Sequence, residues 1–169
     1  LEKRKVTPET PFNCAGYLRV GGNKFRCWNE DGHGPQTLTQ GFAHSCNVYF
    51  YSAGLLAGPD ALFEKSLEFG FNQLTGIDLP EEKTGFVPSR EWKRRSKKEL
   101  WYEGETANFS IGQGYLQVTP IQALGMISAV ATGGEILRPH LVDKIDGRKA
   151  TVKHVRFIPI APGDLGAVR

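Results

Sequence analysis

Long apolar runs are missing from this sequence, and none approaches the roughly 20 residues that a membrane-crossing helix needs. An excess of one charge is missing too. Twenty-one Lys and Arg face 18 Asp and Glu, a net charge of +3, too small to announce a nucleic-acid partner. There is no internal repeat and no low-complexity segment, so solenoid and fibrous architectures are excluded. Sulfur is scarce, with one Met and three Cys. An odd cysteine count leaves one thiol over from any purely disulfide framework. What remains, 40% hydrophobic and 23% charged over 169 residues, is an ordinary globular composition, long enough for one domain with a sizeable core.

The first organised stretch is a β-hairpin. Cys14–Val20 and Asn23–Trp28 flank the turn pair Gly21-Gly22, which brings Cys14 and Cys27 to the same open end of the ladder. Asn29–Pro35 reads as a loop with His33 between two glycines, and Thr37–Ala43 as a short helix. Next comes His44-Ser45-Cys46-Asn47, just where Val48, Tyr51 and Leu55 begin a helical repeat that Gly54 and Gly58 punctuate. Ser45 is expected at a helix N-cap, and Cys46, a thiol at a helix N-terminus, is expected to lean towards thiolate. A Ser cap followed by a buried Cys describes these residues equally well.

Pro59–Phe69 reads as a helix stopped at Gly70, with Leu62, Phe63, Leu67 and Phe69 on its buried side. Thr75–Pro88 is a polar excursion rich in turn residues. Arg90–Glu99 carries six Lys or Arg against two Glu and reads as a solvated loop. Thr119-Pro120-Ile121-Gln122 is a capping box with proline at the first helical position. The helix it opens, at about 119–132, is apolar on nearly every face and is expected to be buried all round. Strands are expected at Ile136–Val142 and Thr151–Ile158, either side of an Asp146-Gly147 turn. Helices mixed with hairpins make the fold class α+β. Leu1–Lys5 reads as the tail of an interrupted helix, and Pro162 and Asp164 as the opening of another. A single partial domain over 1–169 is the expectation.

Three constellations carry chemistry. Cys14, Cys27, His33 and Cys46 follow the spacing Cys-x12-Cys-x5-His-x12-Cys and use every cysteine present. Three thiolates and an imidazole suit a closed, structural zinc site; a Cys14–Cys27 disulfide beside a core cysteine suits the same spacing. Lys83-Thr84-Gly85 matches a box of penicillin-reactive serine acyl-transferases. Glu81, Glu82 and Pro88 surround it, and the apolar strand it should ride on is missing, so it reads as a decoy turn. In Ile111-Gly112-Gln113-Gly114-Tyr115 the lysine and spacing of a phosphate loop are missing. Its glycines are expected to permit a close backbone approach beside a groove.

Phe12-Asn13-Cys14-Ala15-Gly16-Tyr17, Gly32-His33-Gly34, Ser45-Cys46-Asn47-Val48-Tyr49-Phe50-Tyr51, Gly76-Ile77-Asp78-Leu79-Pro80, Glu91-Trp92-Lys93 and Ile111–Tyr115 through Thr119-Pro120 resemble penicillin-binding protein 2, the elongation-type class B penicillin-binding proteins of bacterial cell-wall synthesis. The resemblance runs over almost the whole chain, in the family's order. It implies a piece of the penicillin-binding transpeptidase fold, related to serine β-lactamases. Ser45 and Asn47 then match the Ser-x-Asn box, in which the serine relays protons and the asparagine holds the catalytic lysine and the substrate. The family's nucleophile lies in a Ser-x-x-Lys box, and no Ser-x-x-Lys occurs here. That box is expected before Leu1 and the true Lys-Thr-Gly strand after Arg169, so the segment alone is expected to be inactive.

The resemblance further implies D,D-transpeptidation of peptidoglycan stem peptides ending in D-Ala-D-Ala, trapping by β-lactams, and a place on the periplasmic side of the bacterial inner membrane. Its implied partners are the cell-elongation machinery, including a membrane glycan polymerase, with no nucleic acid. Relatives of this type can also carry zinc at positions matching Cys14, Cys27, His33 and Cys46, with aspartates in the first two places in some of them. A non-enzymatic, zinc-stapled binding domain of the cell envelope is the alternative.

Overall fold

Gly21 and Gly22 both take positive φ, 55° and 82°, the conformation a two-residue hairpin turn requires. In the computed structural model, which describes residues 5–151 and 153–168, they close a hairpin. The helix tail read at Leu1–Lys5 falls, but for Lys5, outside the described residues, as does Val152 within the expected strand Thr151–Ile158. By contact density the chain divides into two units, one built from residues up to Phe63 plus Pro88–Leu116, the other from Glu64–Val87 plus Gln117–Ala167.

In the first unit the expected strand Cys14–Val20 is split. β1 (Phe12–Cys14) precedes β2 (Tyr17–Val20), and only β2 pairs with β3 (Asn23–Arg26). β1 instead pairs antiparallel with β4 (Gly34–Gln36), Cys14 opposite Gly34. Gly16 makes the switch: its φ is +80°, and a Cβ there would collide with the Glu30 carbonyl. Cys14 and Cys27 still meet, their sulfurs within 4.8 Å of each other.

α1 (Leu38–Ala43) starts at Thr37, capped reciprocally with Gln40, and α2 (Asn47–Ala57) ends at Gly58. α3 (Pro59–Glu68) follows as read, with Leu62, Phe63, Leu67 and Phe69 half-buried. α2 buries Val48, Tyr49, Tyr51 and Gly54, and packs along α5 (Glu103–Ser110). Gly54 lies so close that an added Cβ would meet the Ser110 Cβ. Gly54→Ala therefore forces the two helices apart; the expected loss is about 1–3 kcal/mol, read as a lower denaturation midpoint of the full-length protein.

The charged run is not a solvated loop. α4 (Arg90–Trp92) opens at Ser89, whose hydroxyl accepts the Trp92 N–H at 3.1 Å, and continues into a π-helical turn over Lys93–Lys97. Lys93 is only 2% exposed. Its ammonium lies 2.6 Å from Glu105, 3.3 Å from Glu99 and 4.3 Å from the Tyr102 ring centre. Burial opposes its charge, but the two carboxylates outweigh that and hold its pKa above the ordinary lysine value. One of the six cations is thus an internal anchor between the run and α5.

In the second unit α6 (Pro120–Thr132) forms as its capping box predicts. Thr119 accepts the Gln122 N–H at 3.3 Å, the Gln122 side chain accepts the Thr119 N–H at 2.9 Å, and Gly133 ends the helix at φ +92°. The expectation of a helix buried all round is corrected: Leu124 and Ile127 are 61% and 60% exposed, and only one stripe packs on described residues. The buried Gln122 amide instead donates to the carbonyls of Gln73 and Thr84, both at 2.7 Å, tying down the polar excursion. β5 (Glu135–Leu137) pairs with β8 (His154–Phe157), shorter than the strands expected, while β6 (Lys144–Ile145) and β7 (Arg148–Lys149) form a small hairpin at Asp146-Gly147. Ala129, Ile136 and Ile158 make the core, with Phe69 and Ile160 against it, and α7 (Pro162–Val168) opens where Pro162 and Asp164 signalled.

Candidate active site

α1 and α2 meet in a turn that the sequence alone misplaces. Ser45 is not an N-cap; Cys46 takes that position, and Ser45 follows His44, the C-cap of α1. The Ser45 N–H donates to the Phe42 carbonyl at 3.1 Å and the Cys46 N–H to the Gly41 carbonyl at 2.8 Å. Those two bonds form a Schellman motif, which needs a left-handed residue at its centre and is usually completed by glycine. Ser45 fills it at φ +50°, an unfavourable conformation for a residue with a Cβ. Its side chain is exposed, and Asn47, two residues on at the first position of α2, is half-buried with its amide donating to the Arg26 carbonyl at 3.4 Å. Neither group is sealed in an apolar interior.

Directly behind this turn, Cys14, Cys27, His33 and Cys46 converge, with one ligand atom from each all within 4.8 Å of one another. The Cys14 and Cys27 sulfurs both lie 3.6 Å from His33 Nδ1. With Zn–S near 2.3 Å and Zn–N near 2.0–2.1 Å, the S···N edge of a tetrahedral zinc site is about 3.6 Å. All three cysteines are free thiols, and all are buried. His33 Nε2 is buried with no hydrogen-bond partner, so the polar contacts of this ring lie on its Nδ1 side. Donor set and spacing both fit zinc.

The start of α2 acts on these thiols, but not on the one expected. Burial presses the Cys27 thiol pKa up, but the backbone amides of Asn29, Asn47 and Val48 outweigh it and hold the value below normal. Cys46, by contrast, is pushed up to about 12, first by burial and then by neighbouring Cys14 and Cys27, despite the Tyr49 amide. The helix N-terminus thus favours thiolate at the sulfur facing it, from β3's end, rather than at its own N-cap. Ionised sulfurs crowd one another, and a divalent cation among them removes that penalty.

Three residues that sequence reasoning passed over complete the surroundings. The Trp28 indole N–H reaches the carbonyls of His44 and Ser45 at 2.9 and 3.1 Å, with its ring edge against His33. His44 stacks parallel to His33, and Gln36 hydrogen-bonds His44. Adjacency to Cys27 and Ser45 was the only signal in the sequence for Trp28 and His44, and nothing marked Gln36.

Residues 1–169 match the penicillin binding protein transpeptidase domain family over their whole length. The chain belongs to that family. It is 36% identical over 151 residues to the peptidoglycan D,D-transpeptidase MrdA of Salmonella typhimurium, covering 88% of this chain and 24% of the relative. Among solved structures it is similar to penicillin-binding protein 2 (PBP2) of Pseudomonas aeruginosa in complex with WCK 5153, with TM-score 0.88 and 36% identity over 99% of this chain and 38% of the other. It is also similar to PBP2 of Helicobacter pylori in its complex with MreC, with TM-score 0.83 and 34% identity over 97% and 30%. The chain therefore spans about a quarter of the length of the curated relatives it matches. The mixed helix and strand architecture is that of the penicillin-binding transpeptidases.

Within this transpeptidase segment, Lys83-Thr84-Gly85 lies in irregular backbone with Lys83 and Thr84 exposed, in keeping with a decoy. The Gly112 and Gly114 expectation needs correction. Both take positive φ, 75° and 79°, and a Cβ at Gly112 would meet nothing within 4 Å. Turn conformation, not close backbone approach, requires glycine there.

Proposed function

We propose that this chain is the segment of a peptidoglycan D,D-transpeptidase that carries the Ser-x-Asn box, with Ser45 as proton relay and Asn47 as its companion amide. The observation that carries this reading is Ser45 itself. A serine occupies a left-handed turn position where glycine is easier, and strain of that kind is retained where the side chain is needed. Its exposed hydroxyl can pass a proton between a neighbouring base and a departing amine, and the Asn47 amide offers both donor and acceptor beside it. The acyl-accepting serine, its lysine partner and the Lys-Thr-Gly strand belong to the full-length protein.

Zinc held by Cys14, Cys27, His33 and Cys46 is part of the proposal. Bound there, the ion supplies positive charge that keeps the thiolates ionised. The four ligands come from β1, the end of β3, the Gly-His-Gly loop and the N-cap of α2, so together they fix the turn that presents Ser45 and Asn47. The substrate of the whole protein is a stem peptide ending in D-Ala-D-Ala, and β-lactams are its mimics. The complex of H. pylori PBP2 with MreC supports a protein partner for the full-length protein; the elongation machinery, with a membrane glycan polymerase, is the partner class proposed, on the periplasmic side of the inner membrane.

Incubating the purified full-length protein with a fluorescent penicillin tests the reading. One covalent label per chain, displaced by an unlabelled β-lactam added first, is the expected result. No label contradicts it and leaves a zinc-stapled binding domain in its place.

A further inference from the structure

Neither the relay nor the ligand set uses Gln36, yet this side chain is 3% exposed and fully hydrogen-bonded. Its Nε2 donates one hydrogen to the His33 carbonyl at 3.0 Å and one to the Pro35 carbonyl at 2.8 Å, and its Oε1 lies 2.6 Å from His44 Nδ1. An amide has two N–H donors, and both are spent on carbonyls that could not face its oxygen. The amide orientation is therefore fixed, and His44 Nδ1 must be the donor to Oε1.

We propose that Gln36 is a positioning residue that couples the metal-ligand loop around His33 to the Ser45 turn through its hydrogen bond to His44. This rests on the metal reading above. At one end Gln36 grips the backbone of the ligand His33. At the other it holds the imidazole of His44, the residue before Ser45, whose ring stacks on His33 at 5.5 Å and 5°. Trp28, next in chain to the ligand Cys27, holds the carbonyls of the same two turn residues from its own side. The β1–β4 ladder already pairs Phe12 with Gln36 through backbone, so strand pairing does not call for a buried amide, which is costly unless every bond is made. The polarity of Gln36 is used in the link between ligand loop and turn.

The test uses full-length protein with two substitutions. Gln36→Met keeps volume and removes all three bonds; His44→Phe keeps a stacking ring and removes the ring nitrogens, and with them the bond to Gln36 Oε1. Zinc retention is measured by chelator competition, ligand geometry by the absorption bands of cobalt-substituted protein, and function by the rate of penicillin acylation. Gln36→Met is expected to weaken zinc roughly 10- to 100-fold, shift the cobalt bands and slow acylation about tenfold. His44→Phe, at an exposed position, is expected to slow acylation to a similar degree, and the double variant no further, because both cut one path. Wild-type zinc affinity and cobalt bands in Gln36→Met, or slowing that multiplies in the double variant, overturn the inference alone. If Gln36→Met does not fold, wild-type acylation in His44→Phe overturns it. A wild-type protein that holds no zinc overturns the metal reading and this inference together.

Discussion

Ser45→Ala in the full-length protein slows penicillin acylation by about 10²–10⁴-fold, the range a positioned proton relay contributes, while the fold is retained. Serine and alanine both carry a Cβ, so the left-handed conformation at φ +50° is equally strained in each, and the hydroxyl is exposed rather than part of the core. Ser45→Gly separates chemistry from folding. Glycine relaxes the backbone of the Schellman turn and is expected to stabilise the protein by about 1 kcal/mol, yet it loses the hydroxyl and acylates as poorly as alanine. Stopped-flow acylation and thermal melts of both variants decide this. A glycine variant that acylates at the wild-type rate would show that the turn, not the oxygen, is what the site needs.

Stripping zinc with a chelator is expected to lower the unfolding free energy by about 4 kcal/mol when the metal had been present at a thousandfold above its Kd, and zinc, not magnesium, restores it. Cys46→Ala gives the same loss and abolishes the chelator's effect. Were Cys46 merely a small core hydrophobe, the substitution would cost about 1 kcal/mol and the chelator would do nothing. The pH dependence has a fixed sign. With its pKa pushed up to about 12, Cys46 is protonated at neutral pH without metal and must release that proton on binding. Affinity therefore rises with pH, and falls at least tenfold for each unit the pH is lowered. An affinity flat between pH 6 and 8 would falsify thiolate ligation by Cys46.

Local chemistry made most elements legible in the sequence. The Gly21-Gly22 turn, the Thr119–Gln122 capping box and the Gly58 stop each specify their structure within a few residues, and each formed where it was read. Cys14, Cys27, His33 and Cys46 could be grouped because a hairpin and one loop bring them to a common end. What stayed hidden depends on neighbours distant in sequence. Gly16 redirects Cys14 into a different ladder because the Glu30 backbone approaches it. Lys93 is internal because Glu99 and Glu105 await it on the far side of the π-helical turn. Ser45 was placed at a cap because its residue type favours caps, whereas the end of α1 imposes a left-handed turn and passes the cap to Cys46. Gln36 has no sequence pattern at all, since its role is set by three partners: His33 in the ligand loop, Pro35 in its own strand and His44 in the α1–α2 turn.

The most direct measurement adds zinc back, in increments, to metal-stripped full-length protein while penicillin acylation is followed. The acylation rate is expected to rise in step with bound zinc and to level at one zinc per chain. An acylation rate that is the same with and without zinc would contradict the claim that these four ligands hold the Ser45–Asn47 turn in its working geometry.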